Sequence, residues 1–143
     1  MSEDVIIPWA RRHGFAQMLA AMMARSGETF TLMPTEELVG NPMLPALHGG
    51  AIASFLEMAA QLALAPALAP GQSCRLISVN LQFLAPARQV AIQTTPKVIR
   101  VGRRIAVVHA EAVERSGTCR LCSAQMEFAI QPAAGNQEPM RRS

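Results

Sequence analysis

HGGAIASFLEMAAQLALA, residues 48–65, is the stretch on which the fold turns. From Ala51 to Ala65 it is rich in Ala, Leu and Met, which favour a helix, and Pro66 ends it. Apolar residues stand on nearly every side of that helix: Ile52, Phe55, Leu56, Met58, Ala59, Leu62 and Leu64. A helix of this kind is buried rather than laid on a surface, and one curved sheet wrapped around it would bury it. Into it the sequence sets Ser54, Glu57 and Gln61, spaced i, i+3 and i+7 and therefore on one face. A carboxylate on a buried helix is costly unless it is hydrogen-bonded, paired or protonated. Glu57 is then either a structural acid meeting a polar group across an interface, or a tuned acid or base in a cleft.

Working outward, the C-terminal side reads as four strands in close succession. Leu76 to Leu84 alternates Ile77, Val79, Leu81 and Phe83 with Ser78, Asn80 and Gln82. Gln89 to Val101 is long and β-branched, with Pro96 marking an edge or a bulge. Arg103 to Glu114 follows a Gly102 turn, and Ser116-Gly117 makes the hairpin into Thr118 to Ile130. In that last strand Cys122, Ala124, Met126, Phe128 and Ile130 share one face, and Ser123, Gln125 and Glu127 the other. On the N-terminal side, Pro8 to Arg25 has helical spacing at Phe15, Met18, Leu19, Met22 and Met23, with Ser26-Gly27 as its stop. Thr29 to Met33 reads as a short strand, and Pro34 to Gly50 as a loop. Consecutive hairpins imply a mostly antiparallel sheet, hence an α+β fold. The expected organisation is an N-terminal helical segment at 1–28, one domain at 29–131 and a disordered tail at 132–143.

Composition narrows the function. The 143 residues suffice for one domain with a real core. Half are hydrophobic and 16% are charged, so disorder is excluded for most of the chain. The shortage of surface charge suggests apolar surface buried against a partner chain. Of 13 basic residues all but Lys97 are Arg; base composition or phosphate recognition would each account for this. Aromatics are 4%, with no Tyr and no basic run, which argues against a nucleic-acid partner. Ser54, Glu57, Gln61 and Pro66 interrupt the longest apolar stretch, which argues against a membrane span. The opening MSEDVIIPWARRHGF is unlike a secretory signal. Cys119 and Cys122 form a C-x-x-C, but i and i+3 on a strand point to opposite faces. No metal-ligand spacing appears. The expected location is the cytoplasm, with reduced thiols.

His48-Gly49-Gly50 lies directly before the helix. The first helical turn carries unpaired N–H groups and the positive end of the helix dipole. Glycines let a ligand approach that backbone, so these donors can polarise a carbonyl and hold an oxyanion. Gly-Gly also simply permits a tight turn. With a carboxylate nine residues beyond His48 on an apolar helix, the pattern becomes much more specific.

The run NPMLPALHGGAIASFLEMAA, followed by VNLQFLAPA, VIRVGRRIAVVHAE and SGTCRLCSAQMEFAI, resembles the hotdog-fold acyl-CoA thioesterases of the phenylacetate-pathway (PaaI-like) and 4-hydroxybenzoyl-CoA thioesterase type. The resemblance covers roughly Phe30 to Ile130. It implies a helix wrapped in an antiparallel sheet, a homodimer or a dimer of dimers (a homotetramer), and sites at the dimer interface. It implies that the Gly49 N–H polarises the thioester carbonyl and that Glu57, from the opposite subunit, is the catalytic carboxylate, as general base or as nucleophile. His48 and Asn41 would shape the site, hold the Gly49 loop or bind water. Gly50, Ser54 and Gln61 are the neighbouring candidates for substrate contact. Ser54 lacks a nearby base and reads more simply as a polar helix-face residue. Arg103 and Arg104 would lie near the phosphates of coenzyme A; a solvated hairpin is the plainer account of them. No cofactor is implied, coenzyme A being part of the substrate. Leu47, Met58, Leu62 and the loop before His48 are expected to wall the acyl pocket.

Two other readings stay open. A hotdog dehydratase or hydratase of acyl thioesters also carries Glu and Gln on the helix, but pairs the Glu with a His about fourteen residues earlier, where this chain has Met43. A non-catalytic acyl-thioester binding protein is disfavoured, weakly, by Glu57 with Gly49.

Overall fold

The computed structural model describes residues 14–35, 38–41, 46–117 and 119–133. The expectations for 1–13, and for the tail from 134 on, lie outside the described residues. In chain order the elements are α1 (Gly14–Ala21), β1 (Met23–Ser26), β2 (Thr29–Leu32), β3 (Val39–Asn41), β4 (Ala46–Leu47), α2 (Gly49–Leu64), β5 (Ser73–Phe83), β6 (Ile92–Thr94), β7 (Lys97–Val101), β8 (Ile105–Glu114) and β9 (Arg120–Gln131). One antiparallel sheet runs β1-β2-β6-β8-β9-β5, with β7 beside β6 on β8; β3 and β4 make a separate two-stranded ladder. This is the α+β arrangement of one central helix on an antiparallel sheet.

Alternation in the long strands builds the seat for α2. Ala106, Val108, Ala110 and Ala112 of β8 are buried, as are Cys122, Ala124, Met126 and Phe128 of β9. The register pairs Ala110 with Ala124 and Ala112 with Cys122, so the floor of the sheet is lined with small side chains. A helix can approach such a floor closely, and Phe55, Leu56, Ala59 and Ala60 of α2 are wholly buried there. The stretch Gly49–Ala67 is long and apolar enough to cross a bilayer by composition alone, and half of it is buried within the fold.

Three local features depart from the sequence reading. The helix expected to run to Arg25 ends at Ala21, and Met23–Ser26 forms β1. Gly27, with φ 61°, is the first residue of a two-residue hairpin loop, where a positive φ matches the twist of the flanking strands. The Arg25 side chain donates to the Gly27 carbonyl at 2.9 Å and lies over the Phe30 ring, 4.9 Å from its centroid. Pairing with β2 thus outweighs the helical propensity of Met23, Ala24 and Arg25. The helix α2 begins two residues before the expected Ala51, and the loop ahead of it contains β3 and β4. The expected strand from Gln89 to Val101 is divided into β6 and β7 around Thr95-Pro96, yet its register against β8 continues unbroken from Gln93↔Val113 to Lys97↔His109. Proline removes one ladder donor there without moving the strand. A bulge lies between Val98 and Arg100.

Strand β5 is the edge of the sheet. A register shift between Leu76 and Ser78 takes Ile77 out of the alternation, leaving Val79, Leu81 and Phe83 opposite the core-side residues Met126, Ala124 and Cys122. Val79 and Phe83 are nevertheless 42% and 55% exposed. Natural folds rarely leave a long apolar edge uncovered.

The buried α2 face sets a stability test. Phe55 is wholly enclosed, so Phe55→Ala is expected to lower the unfolding free energy by about 3–5 kcal/mol in urea titrations.

Candidate functional site

The start of α2 is held by backbone. The His48 N–H donates to the Leu38 carbonyl at 2.9 Å, and the Leu47 N–H to the Ala87 carbonyl at 2.7 Å. The His48 carbonyl accepts from Ala51 and Ile52 at 3.0 and 3.3 Å. The His48 side chain makes no capping bond and is exposed. The Gly49 and Gly50 N–H groups, in the first turn, have no intrahelical carbonyl to donate to. A methyl group on Gly49 would stand 3.0 Å from the Phe83 ring, whereas one on Gly50 would meet nothing within 4 Å. Gly49 is therefore a close approach between helix and edge strand, and Gly50 leaves the second donor open.

Beside these donors is a cavity of about 420 Å³ lined by Leu47, Ile52, Phe83 and the Leu84–Ala87 segment. Its side chains are all apolar. Of the expected pocket walls, among the described residues only Leu47 is part of it. Met58 is buried in the core, and Leu62 packs against that core. Phe83 and the segment after it were not expected there. The sequence signal was an aromatic ending an alternating strand, followed by Pro86.

Ser54 and Glu57 are half-buried on α2, and Gln61 is 6% exposed. Burial pushes the Glu57 carboxyl above the ordinary carboxylate range. Its charge is felt by Cys74 at the start of β5, whose thiol is pushed up first by burial and then by the Glu57 charge. Asn41 lies in β3, opposite Ala46; its side chain lies outside the described residues. Arg103 and Arg104 are exposed in the turn between β7 and β8. The Arg104 carbonyl accepts from Ile130, which pairs with Cys74, so this turn sits at the Glu57 end of the sheet.

The chain thus brings Ser54, Glu57 and Gln61 to one face, and Gly49 and Gly50 to one end. It does not bring the two groups together. Eight residues of helix separate Gly49 from Glu57, about 12 Å at 1.5 Å per residue. One carbonyl cannot touch both within a single chain. His109, on the far side of the sheet, hydrogen-bonds Ser123 at 3.1 Å and takes no part. Cys119, just before β9, is exposed and Cys122, within it, is buried.

Comparison with known proteins then places the chain. A Bacillus halodurans protein solved with CoA superposes with a TM-score of 0.71 at 21% identity, covering 85% of this chain and 80% of the other. A thioesterase from Haemophilus influenzae gives 0.70 at 20% identity, covering 81% of each chain. A phenylacetic acid degradation-related protein of Ralstonia eutropha gives 0.69 at 20% identity, covering 86% and 90%. At these identities the likeness shows the fold. No curated protein sequence matches the chain. The family model for the acyl-CoA thioesterase N-terminal domain matches residues 40–129, which includes α2, the strands after it and both halves of the candidate site. The chain therefore belongs to the acyl-CoA thioesterase N-terminal domain family, within the hotdog-fold thioesterases.

Proposed function

We propose that the protein hydrolyses acyl-CoA thioesters as a dimer, with each site built from the Gly49 end of one protomer and Glu57 of the partner subunit. One observation carries this reading. Gly49 stands against Phe83 at the last residue of β5, whereas the Glu57 charge acts on Cys74 near its first. Two β5 edges paired antiparallel about a two-fold axis bring the Phe83 end of one beside the Cys74 end of the other. The pairing also covers Val79 and satisfies the edge of β5. The separation within one chain and the uncovered edge thus have a common solution.

The chemistry follows from the groups present. The thioester carbonyl accepts the Gly49 N–H at the positive end of α2, with the apolar part of the substrate in the cavity beside it. The partner's Glu57 takes a proton from water as the water oxygen attacks the carbonyl carbon. Gly49 holds the resulting oxyanion. Collapse breaks the C–S bond, and the CoA sulfur leaves as thiolate and is protonated. In the variant route the carboxylate attacks the carbonyl carbon and expels the CoA thiolate, and water then cleaves the mixed anhydride to the acid and free Glu57. Gln61 and Ser54, on the same face, orient the water. His48 holds the donor loop through its backbone, and Asn41 is the further residue assigned to that loop. Gly50 leaves room for the substrate. Arg103 and Arg104 supply guanidinium groups for the CoA phosphates.

Three tests follow. Glu57→Gln is expected to lower kcat at least ~100-fold. In the wild type, activity rises with pH through an apparent pKa above the ordinary glutamate value, because the base must be ionised and burial opposes ionisation. The same shift fixes the sign for stability. A carboxyl whose folded pKa is raised favours the fold most below its unfolded pKa and loses that contribution as pH rises through the folded pKa. Glu57→Gln should therefore melt at or above the wild-type temperature at neutral pH, which separates lost catalysis from lost folding. Unchanged turnover in this variant would remove Glu57 from the reaction.

Val79→Arg, on the β5 edge, is expected to give monomers by sedimentation together with loss of activity. An active monomer would exclude the shared site. Reversing charge at Arg103 and Arg104 should raise KM for CoA esters more than for pantetheine esters, and equal effects would remove their phosphate role.

A further inference from the structure

The outer face of the sheet, turned away from α2, carries a basic and apolar patch at its Glu57 end. The register sets its rows: Arg75, Ala129 and Ile105 in one; Ser78, Glu127, Val107 and Arg100 in the next; Gln125, His109 and Lys97 in the third. Arg103 and Arg104 are in the turn at the rim. Arg75, Lys97, Arg100, Arg103 and Arg104 are all exposed, and among the described residues none has an ion-pair partner. Glu127 is the acid within these rows. Glu111, farther along β8, is held by Arg120 at 3.6 Å. Between the cations lie Ile105 and the bulged Ile99, 45% and 58% exposed.

From this patch we infer that the enzyme receives its substrate from an acidic carrier protein, on which the acyl group is a thioester of protein-bound phosphopantetheine. The inference rests on the thioesterase reading above and names the form in which the thioester arrives. Three observations favour a protein over the nucleotide of CoA alone. Arg75 on β5 and Arg100 on β7 are separated by β9 and β8, about 14 Å at roughly 4.8 Å per strand, a wider spread than one nucleotide needs. Apart from Arg103 and Arg104 at the rim, the cations of the patch surround exposed aliphatic side chains, the mixture expected of a protein contact. Arg75 also adjoins Cys74 in sequence, and Cys74 lies within range of the Glu57 charge, so a carrier seated here delivers its arm around the β5 end to the site. A second copy of this chain is opposed by charge, since two such faces would bring unpaired cations together.

The test compares octanoyl-loaded acyl carrier protein of fatty-acid synthesis with octanoyl-CoA and octanoyl-pantetheine, using wild type and the double variant Lys97→Glu, Arg100→Glu. Wild type is expected to hydrolyse the carrier thioester with a kcat/KM that falls steeply as salt is raised. The double variant should lose about tenfold on the carrier thioester, through KM, and nothing on the two small thioesters. Equal loss on all three substrates, or a carrier thioester cleaved no better than the pantetheine ester, would overturn the inference. So would a changed oligomeric state in the double variant, or retention on phosphatidylglycerol vesicles without carrier binding. Titration with unacylated holo-carrier separates this proposal from the one beneath it. Carrier binding without hydrolysis of any octanoyl thioester would sink the hydrolase reading alone. Hydrolysis of octanoyl-CoA without carrier binding would sink the docking alone.

Discussion

The close packing of α2 against the alanine-lined floor of β8 and β9 is the constraint from which the other features follow. Ala106, Ala110, Ala112 and Ala124 remove the bulk that would hold the helix off the sheet. Phe55, Leu56 and Ala59 fill the space so created. With the helix fixed in rotation by this contact, Ser54 and Glu57 are left at the margin of the core, half covered. That position raises the affinity of the Glu57 carboxyl for a proton while keeping it within reach of solvent. A helix rotated by one residue would submerge the acid or lose the core.

The same packing determines where the backbone donors stand. The chain enters α2 through a strand tied to Ala87 and a His48 N–H tied to Leu38, so the first turn is anchored on two sides. Gly49 then meets the Phe83 ring so closely that any side chain would have to displace it. Helix rise makes the distance from this turn to Glu57 too great for one small functional group to bridge. The β5 edge, apolar and without a neighbour among the described residues, lies between the two positions. A fold that separates its acid from its donors and leaves an open edge beside both is suited to completing its site by self-pairing.

Much of the fold was legible in the residues. The all-round apolar helix, the alternation in Arg120–Gln131 and the hairpin turns give an antiparallel α+β arrangement without reference to any contact. Sequence and structure part where tertiary pairing overrides local preference. Met23 to Arg25 are good helix formers by composition, and only the pairing of Met23–Ser26 with Thr29–Leu32 makes them a strand. The register shift at Ile77 has no clear local signal, yet it decides which side chains of β5 face the core. The site divides in the same way. Ser54, Glu57 and Gln61 share a face by helical period, and Gly49 precedes them by sequence. Phe83, 34 positions beyond Gly49, enters only because β5 crosses the helix start.

The sequence by itself determined that a carboxylate would sit on a buried helix headed by two glycines, because period and composition are local properties of the chain. The tertiary structure alone decided which strand closes over Gly49, where the arginines gather and which edge stays open. Those depend on register and on contacts between residues far apart in the chain, and no local pattern encodes them.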